Sequence, residues 1–253
     1  MRLDFIATVM GKYAAEFDTC DACGFLQVRQ PYWLPEAYSS GIATTDTGIV
    51  ERNSIIARIL TSTLYFVMGE RGNGRYLDVA GGYGLLVRMM RDYGFDFYWS
   101  DKYCENLLAR GFDAGEDLGV CQAVTAFEVM EHLEDPIHFV SEALSHAKTD
   151  TFIFSTLLFD GKPPRPADWW FYSLETGQHI AFFQHRTLLT LANRLNMRYY
   201  SIGNIYIFTR KILSSSMLKL CAGKCSYFLD KIAKKRLGSR VMADHFKMGR
   251  SIS

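Results

Sequence analysis

Three short segments of the chain carry residue types that bind small ligands or move protons. The first is Tyr76-Leu-Asp78-Val-Ala80-Gly81-Gly82-Tyr83-Gly84-Leu-Leu, in which small residues join an apolar run to a helix-like one. Small side chains there let a ligand press on the backbone, and a helix start offers N–H groups without partners. The second is Asp101, which ends the next apolar run. A carboxylate at such a point can accept hydrogen bonds from both hydroxyls of a ribose. The third is Thr125-Ala-Phe127-Glu128-Val-Met-Glu131-His132-Leu-Glu-Asp135-Pro136, rich in carboxylates and holding an imidazole. A dinucleotide fingerprint needs G-x-G-x-x-G/A, but the position three after Gly84 is Val87, whose side chain spoils close helix–strand packing. Asp78 has no role in that fingerprint.

These residues need a scaffold that alternates strand and helix. Tyr76–Ala80, Phe95–Ser100, Gln122–Phe127 and Thr151–Leu158 read as strands. Leu85–Asp92, a Pro-started stretch over Pro136–Ala147 and a stretch around Arg186–Leu195 read as helices. Ile49, Ile56, Ile59, Leu60 and Leu64 predict an earlier helix, ended by Gly69-Glu-Arg-Gly72-Asn-Gly74. Met197–Ile202 and Asn204–Thr209, split by Gly203, predict a closing hairpin. The pattern implies an α/β, Rossmann-like three-layer sandwich, with a mainly parallel sheet and an antiparallel C-terminal hairpin. In such sheets ligands bind at the carboxyl ends of adjacent strands, where all three segments fall. The expected organisation is a turn-rich segment over 1–48, the α/β domain over 49–210 and a tail over 211–253.

The pattern D-x-(G/A)-x-G-x-G at Asp78–Gly84 resembles motif I of the class I methyltransferases, with Ala80 in place of the usual first Gly. Phe127–Pro136 resembles the segment "FEVxEHLxDP" of many small-molecule methyltransferases. The resemblance implies S-adenosyl-L-methionine as cofactor, held by Asp78, Ala80, Gly81, Gly82, Gly84, Asp101, Phe127 and Glu128. Further stretches are similar to one subgroup, the relatives of sugar C-methyltransferases that act in polysaccharide and nucleotide-sugar pathways. These are Cys20-x-x-Cys23-Gly-Phe-Leu-Gln, Pro31-Tyr-Trp-Leu-Pro-Glu-Ala-Tyr-Ser-Ser, Asp46-Thr-Gly48, Arg52-Asn53, Asp168-Trp-Trp170 and Gly177-Gln-His179-Ile.

Methyl transfer is an in-line displacement, so the enzyme must chiefly align the acceptor and exclude water. A base is needed where the acceptor loses a proton early, as a sugar hydroxyl or a carbon beside a carbonyl would. His179, beyond the fifth strand's long loop, and His132, after the fourth strand, are the catalytic candidates. Each is equally readable as a structural hydrogen bonder. Glu128 and Glu131 suit a cationic sulfonium or simply a helix start. Phe127 suits the cofactor or the core. Arg52, with Asp46 and Gly48, suits a carboxylate clamp or a salt bridge. Trp169, Trp170, Phe171 and Tyr172 offer faces for a sugar ring or for packing a lid.

Bulk properties remove other classes. With 49% hydrophobic and 22% charged residues in 253, wholesale disorder is excluded. No uncharged apolar run approaches the roughly 18 residues of a membrane span, and Met1–Tyr13 lacks a secretory leader's apolar region. Six irregularly spaced Cys set no disulfide framework, so reduced thiols and a cytoplasmic setting are expected. Related chains would carry a second Cys pair to complete a zinc site. Here none precedes Cys20, so free thiols and no metal are expected. Residues 211–253 hold ten of the 28 Lys+Arg but two of the 27 Asp+Glu, leaving an acidic body and a basic tail. The tail reads as one or two amphipathic helices broken near Gly223, suited to an anionic membrane surface or to the protein's own acidic body. No nucleic-acid reading motif accompanies the charge. The partner expected is a small-molecule acceptor, carbohydrate in class. A non-catalytic cofactor-binding scaffold and a nicotinamide-dependent oxidoreductase are the competing readings.

Overall fold

The structure is a computed structural model describing residues 1–38, 46–115 and 118–250. Ser39 and Ser40 of the proline-rich stretch and the last three tail residues lie outside the described residues. The N-terminal part holds strands β1 (Arg2–Val9), β2 (Tyr13–Thr19) and β3 (Leu26–Arg29), then helices α1 (Leu34–Ala37) and α2 (Ile49–Ser62). The central part runs β4 (Arg75–Val79), α3 (Leu85–Asp92), β5 (Asp96–Ser100), β6 (Cys121–Ala126), α4 (Pro136–His146) and β7 (Thr151–Ser155). Then come β8 (Ala181–Phe182), α5 (His185–Arg194), β9 (Arg198–Ile202), β10 (Ile205–Thr209), α6 (Ser215–Ala222), α7 (Ser226–Leu237) and α8 (Val241–Arg250).

The larger sheet has six strands in the order β5-β4-β6-β7-β10-β9. Strands β4 to β7 run parallel, while β10 lies antiparallel to both β7 and β9. Every residue of β7 is buried, as expected of a strand covered on both faces. On one face α2, α3, α6 and α7 contribute Ile56, Leu60, Leu86, Val87, Met90, Leu218 and Ala233 to a core with Tyr76 and Phe97. On the other, α4 and α5 contribute Val140, Ala143, Leu188 and Ala192 to a core with Val124, Phe152 and Phe154. The three-layer α/β sandwich with its antiparallel hairpin is thus the observed architecture. Helix α4 begins where the sequence marks it: Pro136 occupies the first turn and the Asp135 side chain accepts from the His138 N–H at 3.0 Å.

The first 30 residues depart from the turn-rich expectation. Strands β1, β2, β3 and β8 form a second, antiparallel sheet with its own core of Phe17, Leu26, Trp33, Phe171, Tyr172 and Phe182. The β1–β2 hairpin turns through Met10 and Gly11, both at positive φ, and a register shift between Leu3 and Phe5 disturbs the alternation that would have marked β1. This core also absorbs most of the aromatic cluster. Phe171 and Tyr172 are buried and Trp169 packs beside them, so of the four only Trp170 is exposed, at 77%.

The basic tail docks on the body through one of its two acids. Asp244 of α8 accepts from Arg91 Nη2 at 2.7 Å and Nε at 2.8 Å, and from Arg88 Nη2 at 2.8 Å. Arg91 also donates to Asp96 (2.7 Å) and to the Phe97 carbonyl (2.8 Å), with Phe112 beneath its guanidinium at 3.5 Å. Burial pushes the Asp244 carboxyl up, but the two arginines outweigh it and hold the pKa below the usual range. Removing one partner of a buried pair leaves the other charge uncompensated. Asp244→Ala is therefore expected to lower stability by about 3–5 kcal/mol, read as a fall in denaturant midpoint. It should also release α8 to limited proteolysis, and an unchanged midpoint would refute the clamp.

Candidate active site

The glycine turn follows β4 at the carboxyl edge of the larger sheet. Ala80, Gly82 and Gly84 all have positive φ (53°, 55° and 82°), so the chain turns sharply before α3. Ala80 is exposed and Gly81 and Gly82 are half-exposed, which presents backbone rather than side chains to the crevice. A Cβ on Gly81 would lie 2.9 Å from both Asp78 Oδ2 and Trp99 Cδ1, so this position admits no side chain. Asp78 is fully buried in β4, where its register partner Thr125 on β6 donates to Oδ1 at 2.5 Å. Burial raises the Asp78 pKa to about 7, against the Thr125 bond that lowers it.

Asp101, just beyond β5, is drawn to the same turn. Its Oδ2 accepts the Gly82 N–H at 2.9 Å, and its Oδ1 accepts the N–H groups of Tyr103 (2.7 Å) and Cys104 (2.8 Å). A carboxylate has about four lone-pair sites, so Oδ2 keeps one for a ligand. The Trp99 Nε1–H donates to the Gly82 carbonyl at 2.8 Å and holds the turn from the β5 side.

The segment after β6 completes the rim. Glu128 is held at φ 55° by Ser155, the last residue of β7. The Ser155 hydroxyl accepts the Glu128 N–H (3.0 Å) and donates to Oε1 (2.5 Å). Phe127 is partly buried against the sheet's core. Arg52 forks onto Asp46 at 3.1 and 2.7 Å and stands 3.9 Å from Glu128 Oε2, which is the salt-bridge alternative read from the sequence.

His132 and His179, 47 positions apart, meet at a ring separation of 4.8 Å. His132 Nδ1 lies 3.1 Å from the Gln178 carbonyl and 3.0 Å from the Tyr38 hydroxyl, and His179 Nδ1 lies 2.6 Å from the Phe171 carbonyl. A carbonyl only accepts, so its partner nitrogen carries the proton and each Nε2 keeps a lone pair. Both rings are partly exposed yet largely embedded in protein. Burial, with His179 as neighbour, lowers the His132 pKa to about 3, and burial lowers His179 as well. Glu131 is fully buried beside them, and burial followed by the Glu128 charge raises its pKa to about 8. Burial thus favours uncharged imidazoles and raises the cost of an ionised Glu131 that completes no hydrogen bond among the described residues.

A family model described as a methyltransferase domain matches residues 52–202. The chain belongs to the methyltransferase-domain family. The enzyme class is therefore S-adenosylmethionine-dependent methyltransferase, and the nicotinamide reading falls away. Solved structures similar to this methyltransferase include TnmH (14% identity, TM-score 0.46, covering 66% of this chain and 57% of that one). Another is the magnesium protoporphyrin IX methyltransferase of Synechocystis PCC 6803 with bound S-adenosylhomocysteine (14%, 0.47, 70% and 93%). A third is an O-methyltransferase family protein of Burkholderia thailandensis (13%, 0.46, 71% and 68%). No curated protein matches the methyltransferase. Its turn fits the cofactor by an observation of its own: small residues expose backbone to a crevice flanked by the carboxylates of Asp101 and Glu128.

Of the residues expected in the site, the fold gathers the glycine turn, Asp78, Asp101, Phe127, Glu128 and both histidines at one sheet edge. It buries Tyr172 and most of Trp169 in the second sheet's core, and leaves Phe171 at the site only as a support for His179, through its carbonyl and its ring. Thr125, Ser155, Trp99 and Tyr38 escaped the sequence reading; Thr125 and Ser155 were legible in principle as polar residues in otherwise apolar strands.

Two outcomes are expected. Ala80 is a non-glycine residue in the left-handed region, where a Cβ costs about 1–2 kcal/mol. Ala80→Gly should raise the thermal midpoint while preserving S-adenosylhomocysteine binding; a lower midpoint would contradict this. Asp78 binds its proton more tightly folded (about 7) than unfolded (3.8). Its contribution to stability is therefore lost as pH rises through that window. Asp78→Asn should remove on the order of 2–4 kcal/mol of that loss, measured by urea unfolding at either end of the window.

Proposed function

We propose that the chain transfers a methyl group from S-adenosyl-L-methionine to a small-molecule acceptor: a sugar, a nucleotide sugar or a glycan. The observation that carries this reading is the His132–His179 pair, partly exposed, with each Nδ1 engaged by a carbonyl so that Nε2 keeps its lone pair. When bound, the cofactor supplies an electrophilic methyl on a cationic sulfonium. In this reading Ala80, Gly81, Gly82 and Gly84 let it lie against backbone, and Asp101 anchors its ribose through the remaining site on Oδ2. Asp78 steadies the turn from beneath, while Phe127 and Glu128 border the reacting end. His179, with His132 beside it, accepts the acceptor's proton or holds its hydroxyl in line.

The carbohydrate class rests on the resemblance of residues 20–27, 31–40 and 168–180 to the sugar-modifying subgroup. A cytoplasmic setting belongs to the same reading. Lys224, Phe228, Lys231 and Lys235 face outward on and beside α7, and that basic, aromatic surface suits the anionic face of a membrane.

The test separates the two halves of the site. Asp101→Ala should weaken S-adenosylhomocysteine binding about 10- to 100-fold, the loss of one charge-assisted bond. His179→Ala should leave that binding intact while slowing methylation of a candidate nucleotide sugar by about 10²–10⁴. Calorimetry and a radiolabelled methyl assay read the two arms. Full turnover in His179→Ala would overturn the assignment.

A further inference from the structure

We propose that Glu131, His132 and His179 form a binding site for one divalent transition-metal ion. Glu131 is completely buried, yet among the described residues neither of its carboxylate oxygens completes a hydrogen bond. The neighbouring Thr156 hydroxyl, also without a completed bond, offers only partial compensation. Arg52, the nearest cation, is committed to Asp46 by two bonds. Native proteins rarely leave a buried carboxylate unmatched, and the missing partner here has a ready position.

That position lies between Glu131 and the two imidazoles. One donor atom from each of the three residues falls within 4.8 Å of the others. Metal–ligand bonds of about 2.0–2.2 Å place neighbouring donors roughly 3–4 Å apart, so side-chain rotation of about an ångström closes the set round an ion. The outer contacts are those that ligating histidines use. Each ring's Nδ1–H is held by a backbone carbonyl, of Gln178 for His132 and Phe171 for His179, which turns Nε2 into the donor. Backbone pairing fixes the third ligand too, because the Ile180 N–H donates to the Glu131 carbonyl at 2.8 Å. Glu131 and His132 thereby stay opposite His179.

Two histidines and one carboxylate leave coordination positions open. Because both rings are partly exposed, those positions are open to an oxygen-bearing acceptor, a hydroxyl or a vicinal pair of oxygens. What the ion does there rests on the methyl-transfer reading; the site itself does not. From sequence alone these histidines suit proton transfer or structural hydrogen bonding, and the metal site weighed there is one of cysteines; the orphaned carboxylate beside the histidines is visible only in the fold.

The experiment uses the full chain stripped with chelator and titrated with Mn²⁺, chosen because the thiols of Cys20 and Cys23 compete poorly for a hard ion. Loss of the free-Mn²⁺ paramagnetic resonance signal should report one ion bound per chain. Glu131→Gln and His179→Ala should each weaken binding at least tenfold, while still binding S-adenosylhomocysteine by calorimetry. No uptake by the wild-type chain, or uptake equal in both variants, overturns the proposal. If cofactor binding persists without metal uptake, the histidines return to proton transfer and the methyltransferase reading stands.

Discussion

The hydrogen bond from the Ile180 N–H to the Glu131 carbonyl joins the two sheets of the protein at the floor of its site. The Ile180 carbonyl in turn accepts the Val28 N–H at 2.8 Å, so one residue links the antiparallel sheet to the segment beyond β6. Its neighbours extend the seam. Gly177 accepts the Trp33 Nε1–H at 2.9 Å, Gln178 donates to the Ala37 carbonyl at 2.8 Å, and the Gln178 carbonyl fixes His132. The N-terminal sheet is therefore no separate ornament. It sets where residues 177–183 run, and that path brings His179 to His132.

The protein handles buried charge in three ways. Arg91 is paired on several sides and stays charged. Asp78 is left without a cation but receives the Thr125 hydroxyl, and its environment favours the protonated form. Glu131 feels Arg52 only from a distance and, among the described residues, completes no hydrogen bond. The first two solutions serve structure: one clamps the tail, the other supports the glycine turn. The third makes no structural sense alone, because an apolar residue of similar volume would fill the space at lower desolvation cost.

The alternation of strand and helix from Arg75 to Thr209 was legible because each element there has a short period and a breaker at its end. Leu85–Asp92 matches the observed α3 residue for residue. The glycine turn itself was equally legible, since glycine spacing and a preceding carboxylate are local features. Contacts between distant segments were not. The approach of His132 to His179 depends on β8, a strand of two residues with no periodicity to read. Whether Trp169, Phe171 and Tyr172 stack on a ligand or pack on the body could not be decided from sequence, because the sheet they pack on was hidden by its own irregular register. Helix α7 inverted the expected amphipathicity: Ser226, Asp230 and Ala233 face inward, and Phe228 is 68% exposed.

The Arg91–Asp244 clamp also bears on how the chain is born. Arg91 leaves the ribosome 153 residues before its partner, which at about 5–20 residues per second is a wait of roughly 8 to 30 s. Throughout that interval a guanidinium destined for the interior has Asp96, the Phe97 carbonyl and the Phe112 ring to meet it, but not Asp244. The catalytic domain therefore emerges first and is sealed last. A nascent chain halted between β10 and α8 carries every residue of the site but not the contact that closes its scaffold.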